Sequence, residues 1–252
     1  MESALVILAS LLAGLIDSIV GGGGLILVPA LFAAYPSAAP ATLFGTNKSA
    51  SVWGTGVAAL QYGRRVELRW RSLLPATGAA LAGGFTGAWT VTVVDPDMLR
   101  KLLPFILLAL LLYTLSRRHL GRVHAPHQTP ARETAIACGI GALIGWYDGF
   151  FGPGTGSLFV FLFVRFLGYD FLNASAAAKV LNVATNVAAL ALFAAKGHIW
   201  WHLGLPMALA NVAGSLVGTR LALAHGASFV RSVFIAVVGA LILKTGYDAF
   251  LR

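Results

Sequence analysis

Apolar residues run for about 20 positions at a time along this chain, and polar residues gather in the short stretches between. Six runs are long enough to cross a bilayer: Thr42–Tyr62, Ser72–Val94, Met98–Ser116, Asn173–Ala195, Leu203–Ala224 and Ser228–Leu251. Two further apolar regions are interrupted. Leu5–Val20 meets four glycines, Gly21 to Gly24, before Leu25–Ala34. Thr134–Phe151 meets Gly152-Pro153-Gly154-Thr155-Gly156 before Ser157–Leu167. The one clearly polar stretch, Arg117–Glu133, carries four arginines, three histidines and two prolines and reads as an aqueous linker. The pattern predicts an all-α polytopic membrane protein: repeat 1 in residues 1–116, a linker in 117–133 and repeat 2 in 134–252. Each broken region can be counted as one segment, which gives eight in all.

The halves match without a gap at a shift of 131 residues. Apolar coincidences carry little weight in such a composition, but the scarce residues also coincide. Asp17 falls on Asp148, Lys48 on Lys179, Trp70 on Trp201, Pro75 on Pro206 and Arg100 on Arg231. Gly21 and Gly23 fall on Gly152 and Gly154, and Gly83 and Gly87 on Gly214 and Gly218. This is the mark of an internal duplication.

Length constrains the broken regions. Leu5–Ala34 as one helix would measure about 45 Å, too long for a core of about 30 Å. Consecutive glycines make a poor helix interior. A re-entrant hairpin turning inside the membrane fits, provided protein or a wet cavity surrounds the turn. Each unit then has three full spans plus a glycine-broken pair, and the two units are inverted. A broken region that crossed would instead make the units parallel. Loop charge favours inversion. The first-half loop carries Arg64, Arg65, Arg69 and Arg71 with Glu67, whereas its counterpart has only Lys196 with His198 and His202. Basic loops stay in the cytoplasm, so the arginine loop and the linker 117–133 are read as cytoplasmic and the termini as external.

Composition sharpens the class. Of 252 residues, 58% are hydrophobic and 11% charged, which leaves too little polar surface for a soluble enzyme or a disordered chain. Cys138 is the only cysteine, so an intrachain disulfide is excluded and a cysteine zinc site is not expected. The net charge of +9 sits mainly in loops and is read as orientation rather than nucleic-acid binding. Met1-Glu2-Ser3 lacks the basic start of a cleaved leader. His119, His124 and His127 lack metal-ligand spacing, so no metal and no cofactor is expected. No nucleophile elbow or zinc-protease motif occurs, so no enzyme is expected either.

Ionisable groups at membrane depth are costly and need a reason. Lys48 sits among Thr46, Asn47 and Ser49. Asn182 and Asn186 follow Lys179 at i+3 and i+7 and share its helix face. Two cations among hydrogen-bonding groups suit a small anionic substrate. Helices starting at the glycine breaks would add free N–H groups from Gly22, Gly23 and Gly24 and from Gly154, Thr155 and Gly156. Asp17 and Asp148 precede the breaks by four residues. They are candidates for coupling to H+ or another ion, or for structural pairing with a lysine or with helix N–H groups. Arg165, Arg220 and Lys244 fall near span ends and read as interfacial, while Trp89, Trp146 and Tyr147 are either interfacial or pathway-lining.

Three runs carry a resemblance: Gly14-Leu15-Ile16-Asp17-Ser18-Ile19-Val20 continuing through the four glycines to Leu25-Ile26-Leu27-Val28-Pro29-Ala30-Leu31; Gly45-Thr46-Asn47-Lys48; and Gly145-Trp146-Tyr147-Asp148-Gly149-Phe150-Phe151-Gly152-Pro153-Gly154-Thr155-Gly156-Ser157. With them the chain resembles the TauE/SafE (sulfite exporter) family of membrane permeases over almost its whole length. The resemblance implies two duplicated modules in a bacterial inner membrane and the export of sulfite, sulfoacetate or other organosulfonates. The second half has Ala178-Lys179 where the first has Asn47-Lys48, so the anion-binding role carries more firmly to Asn47 and Lys48 than to Ala178. A secondary transporter working by alternating access and a passive anion channel both remain open on these residues.

Overall fold

A computed structural model describes residues 2–92, 105, 108, 112, 121 and 123–250. The run read as a span at Met98–Ser116 lies largely outside the described residues, although Phe105, Leu108 and Leu112 are helical. Arg100, Arg117, Arg118, His119 and Arg122 lie outside them too, as does the side chain of Lys244. The described residues are helical, with no strand among them.

The elements are α1 (Glu2–Val20), α2 (Gly24–Ala34), α3 (Pro40–Gly63), α4 (Trp70–Thr90), α5 (Pro130–Phe150), α6 (Thr155–Leu162), α7 (Phe171–Ala195) and α8 (Trp201–Phe250). A π turn at Phe163–Leu167 extends α6. Local chemistry sets several ends. Pro40 and Pro130 open α3 and α5, where a missing N–H costs nothing. Asp170 caps α7 by accepting from Asn173 N at 2.6 Å. Helix α5 therefore starts inside the stretch read as linker through Glu133, because Pro130 is pre-set for a first helical turn. The spans read as Leu203–Ala224 and Ser228–Leu251 are two helices within α8 that meet at Gly226, whose backbone is not helical (φ 72°, ψ −168°).

The glycine breaks are sharp. Gly21 and Gly152 both take left-handed backbone, φ 80° and 88°, where a side chain would be strained. The two breaks touch: Ser157 N donates to Gly21 O at 3.0 Å, and Ser157 Oγ donates to Val20 O at 3.0 Å.

Contacts at the helix ends fall into two groups. At one end, Ser3 Oγ lies 3.3 Å from Tyr35 Oη, the Tyr35 ring packs edge-on against Trp200 at 5.2 Å, and Thr42 Oγ1 lies 3.4 Å from His198 Nδ1. This gathers the start of α1, the end of α2 and the starts of α3 and α8. At the other end, Arg69 and Tyr169 both meet Glu133, and Phe171 N donates to Gly121 O at 2.8 Å. This gathers the starts of α4, α5 and α7. The chain enters along α1, turns at the glycines and returns along α2 to the end where it began.

Helix α1 packs on α8, and α4 on α5. The close approach requires glycine. A Cβ on Gly83 would run into the Ala142 carbonyl, and one on Gly214 into the Leu11 carbonyl. Helices α3 and α7 run through the middle and carry half of the buried polar side chains among the described residues, while Leu60, Leu74 and Leu209 point outward. Polar groups inside and large apolar groups outside are what a lipid solvent demands.

Candidate functional site

Lys48, on α3, is buried and takes its partners from protein. Its Nζ donates to Asp148 Oδ2 at 2.7 Å and to Asn186 Oδ1 at 2.9 Å. Both members of the ion pair are buried, with side-chain exposures of 5% and 3%. On α7, Lys179 Nζ donates to Asp17 Oδ2 at 3.0 Å and also to the Asp17 backbone carbonyl. Thr55 Oγ1 donates to the same Asp17 oxygen at 3.3 Å, and Gly23 N reaches Asp17 Oδ1 at 3.4 Å. Each lysine thus pairs with the aspartate of the opposite half.

Between the pairs lies a polar cavity of about 20 Å³, room for roughly one water. Asp17, Lys48, Asp148, Asn47, Asn182 and Asn186 line it. Gly24, Thr155 and Gly156 supply its backbone wall. Asn47 is buried, and its Oδ1 has no hydrogen-bond partner. The Thr155 hydroxyl is already committed to Gly152 O at 2.7 Å.

Other expected residues lie elsewhere. Lys179 is fully buried beside the cavity but does not line it. Thr46 Oγ1 accepts from Trp200 N at 3.1 Å, and Ser49 Oγ donates to Thr46 O at 2.8 Å. Thr46 therefore bonds to the residue that precedes α8, and Ser49, bonded within α3, packs against Gly204 of α8. Gly22, Gly23 and Gly154 are not among the lining residues. Tyr147 is an anchor, its hydroxyl donating to Pro153 O at 2.5 Å, and Trp146 stacks on Phe150 at 5.3 Å.

The cavity adds Ser51 and Thr55, which sequence reasoning missed. A signal for them existed. They stand at i+3 and i+7 from Lys48, the spacing that singled out Asn182 and Asn186 beside Lys179. Among the described residues no group of acidic, histidine and cysteine side chains could hold a metal.

A helical membrane protein with crossed, buried lysine–aspartate pairs around a small polar cavity is the class that fold and site define. The model of the family "Sulfite exporter TauE/SafE" matches residues 6–245, and the chain belongs to that family. It is 40% identical to "Probable membrane transporter protein ORF9" of Sinorhizobium sp over 96% of this chain and 91% of that protein. It is 34% identical to "Probable membrane transporter protein YfcA" of Escherichia coli K12, over 95% and 88%. A "Probable membrane transporter protein" of Haemophilus influenzae is 32% identical, over 97% and 94%. No solved structure matches the chain.

Proposed function

We propose that this protein is a secondary transporter that exports small sulfur-containing anions, such as sulfite, sulfoacetate or other organosulfonates, across a bacterial inner membrane. The family and the transporter relatives support the class. The observation that carries the site is the Lys48–Asp148 pair on the polar cavity.

The chemistry follows from charge. With both lysines paired, the four groups Asp17, Lys48, Asp148 and Lys179 sum to zero. An anion gains little until a lysine is released. Protonation of Asp148 removes its charge and frees the Lys48 ammonium, which then offers a charge-assisted hydrogen bond to an oxyanion. Asn182 and Asn186 add side-chain amides, and Gly24, Thr155 and Gly156 add backbone. Asn47 Oδ1 accepts from a water or a protonated oxyanion. H+ is then the coupling ion and crosses together with the anion, so export proceeds when the anion's own outward gradient exceeds the inward proton gradient.

In this reading the halves are inverted repeats, and residues 117–133 face the cytoplasm. The starts of α1 and α5 lie at opposite ends of the molecule, as do those of α3 and α7, which supports inversion. Moving one half against the other alternates access. A cavity of about 20 Å³ is too small for a polyatomic oxyanion, so binding one requires the site to widen.

Proteoliposomes test the proposal. A pH gradient should drive accumulation of sulfite or sulfoacetate beyond electrochemical equilibrium, and Lys48→Ala should abolish it. Flux that only follows the anion's own gradient would identify a channel. Equal flux in Lys48→Ala would remove the site.

A further inference from the structure

At the end of the molecule where α4, α5 and α7 start lies a second cavity, of about 610 Å³, within the range of small-ligand sites. Arg65, Arg69 and His124 line it, with Glu67 as the one acidic residue among its described lining. Leu172 and Asn173, from the first turn of α7, form another part of its wall.

Arg69 is held in place from behind. Its Nε meets Glu133 Oε1 at 3.2 Å, and Glu133 is fully buried. The Tyr169 hydroxyl donates to the same oxygen at 2.8 Å. Burial and the Glu133 carboxylate push the ionisation of Tyr169 well up, so the phenol remains a donor. No hydrogen bond engages the terminal guanidinium nitrogens of Arg69 among the described residues. A guanidinium fixed through Nε presents a planar fork at little further entropic cost, and that fork matches an oxyanion. Arg65 and His124 are exposed, and the His124 ring rests on Tyr169 at 5.0 Å between centroids.

We propose that this vestibule binds an anionic ligand by its oxyanion group, a sulfonate, sulfate or phosphate, on Arg65, Arg69 and His124. The site is separate from the central cavity and does not rest on the transport reading. Helix α7 carries Asn173 in the vestibule and Asn182 in the central cavity, about 13 Å apart along its axis. A free anion and an acidic lipid headgroup share the required chemistry.

The test titrates purified full-length protein with sodium sulfate by calorimetry. The background variant is Lys48→Gln with Asp148→Asn, so that the central pair cannot contribute. We expect one sulfate site, weakened about tenfold by the further changes Arg65→Gln and His124→Gln. The milder Arg69→Lys, which keeps a cation for Glu133, should weaken it too. No sulfate binding in the background variant, or binding that Arg65→Gln with His124→Gln leaves unchanged, overturns the proposal. Repeating the titration in nanodiscs identifies the source. Competition from phosphatidylglycerol that needs Arg65 and His124 assigns the headgroup, and its absence assigns the free anion; either result sustains an oxyanion site.

Discussion

Lys48 and Lys179 stand at matched positions of the two halves, and each meets an aspartate from the other half, yet their surroundings differ. Lys48 is held by two side chains, Asp148 and Asn186, and faces the cavity. Lys179 is fully buried and held partly by a backbone carbonyl at the glycine break, which no protonation can release. The Asp17 carboxylate is the more exposed of the two aspartates, at 16%, and shares its oxygen with Thr55. In the proposed transport cycle this difference gives release and substrate binding to the Lys48 pair and anchoring of the α1 break to the Lys179 pair. Matched residues need not keep matched work.

The largest expected effect is on the anchoring side. Lys179→Ala strands Asp17 and the carbonyl beside it, and should cost about 3–5 kcal/mol of stability, read by unfolding in detergent. Lys48→Gln paired with Asp148→Asn keeps hydrogen bonding without charge and should be close to neutral in the same assay. Equal losses in the two would erase the distinction. On the binding side, Lys48→Gln should weaken anion affinity about 10- to 100-fold, the worth of a charge-assisted hydrogen bond. A smaller contrast compares Asn186→Ala with Thr55→Val. Each removes about 1 kcal/mol of hydrogen bonding, the first from affinity and the second from stability. The smallest effect is Asn47→Ala. It deletes a buried acceptor without a partner, so stability should hold or rise by up to about 1 kcal/mol while affinity falls a few-fold.

Much of this molecule could be read from the chain. Among the described residues the apolar runs marked the helices to within a few residues, because a lipid solvent leaves few ways to satisfy a backbone. The glycine breaks were visible as glycine runs, and the cost of putting charge at depth singled out Asp17, Lys48, Asp148 and Lys179, which the structure brings together in two ion pairs. Two things were hidden. The crossed pairing joins residues 100 and 162 positions apart, and spacing along one helix says nothing about which aspartate a lysine will meet. Thr46 and Ser49 were chosen as neighbours of Lys48 in sequence, but they turn toward α8. Ser51 and Thr55, on the lysine's own face, reach the cavity instead. The start of α5 at Pro130 was obscured by the polar residues of its first turn, which sit where the helix leaves the apolar zone.

The most direct test separates the two aspartates. In proteoliposomes with an imposed pH gradient, Asp148→Asn should abolish gradient-driven accumulation of sulfite or sulfoacetate, whereas Asp17→Asn, once corrected for folded protein, should keep it. Accumulation that survives Asp148→Asn in full, or that fails only in Asp17→Asn, contradicts the assignment of proton-linked anion binding to Lys48 and Asp148.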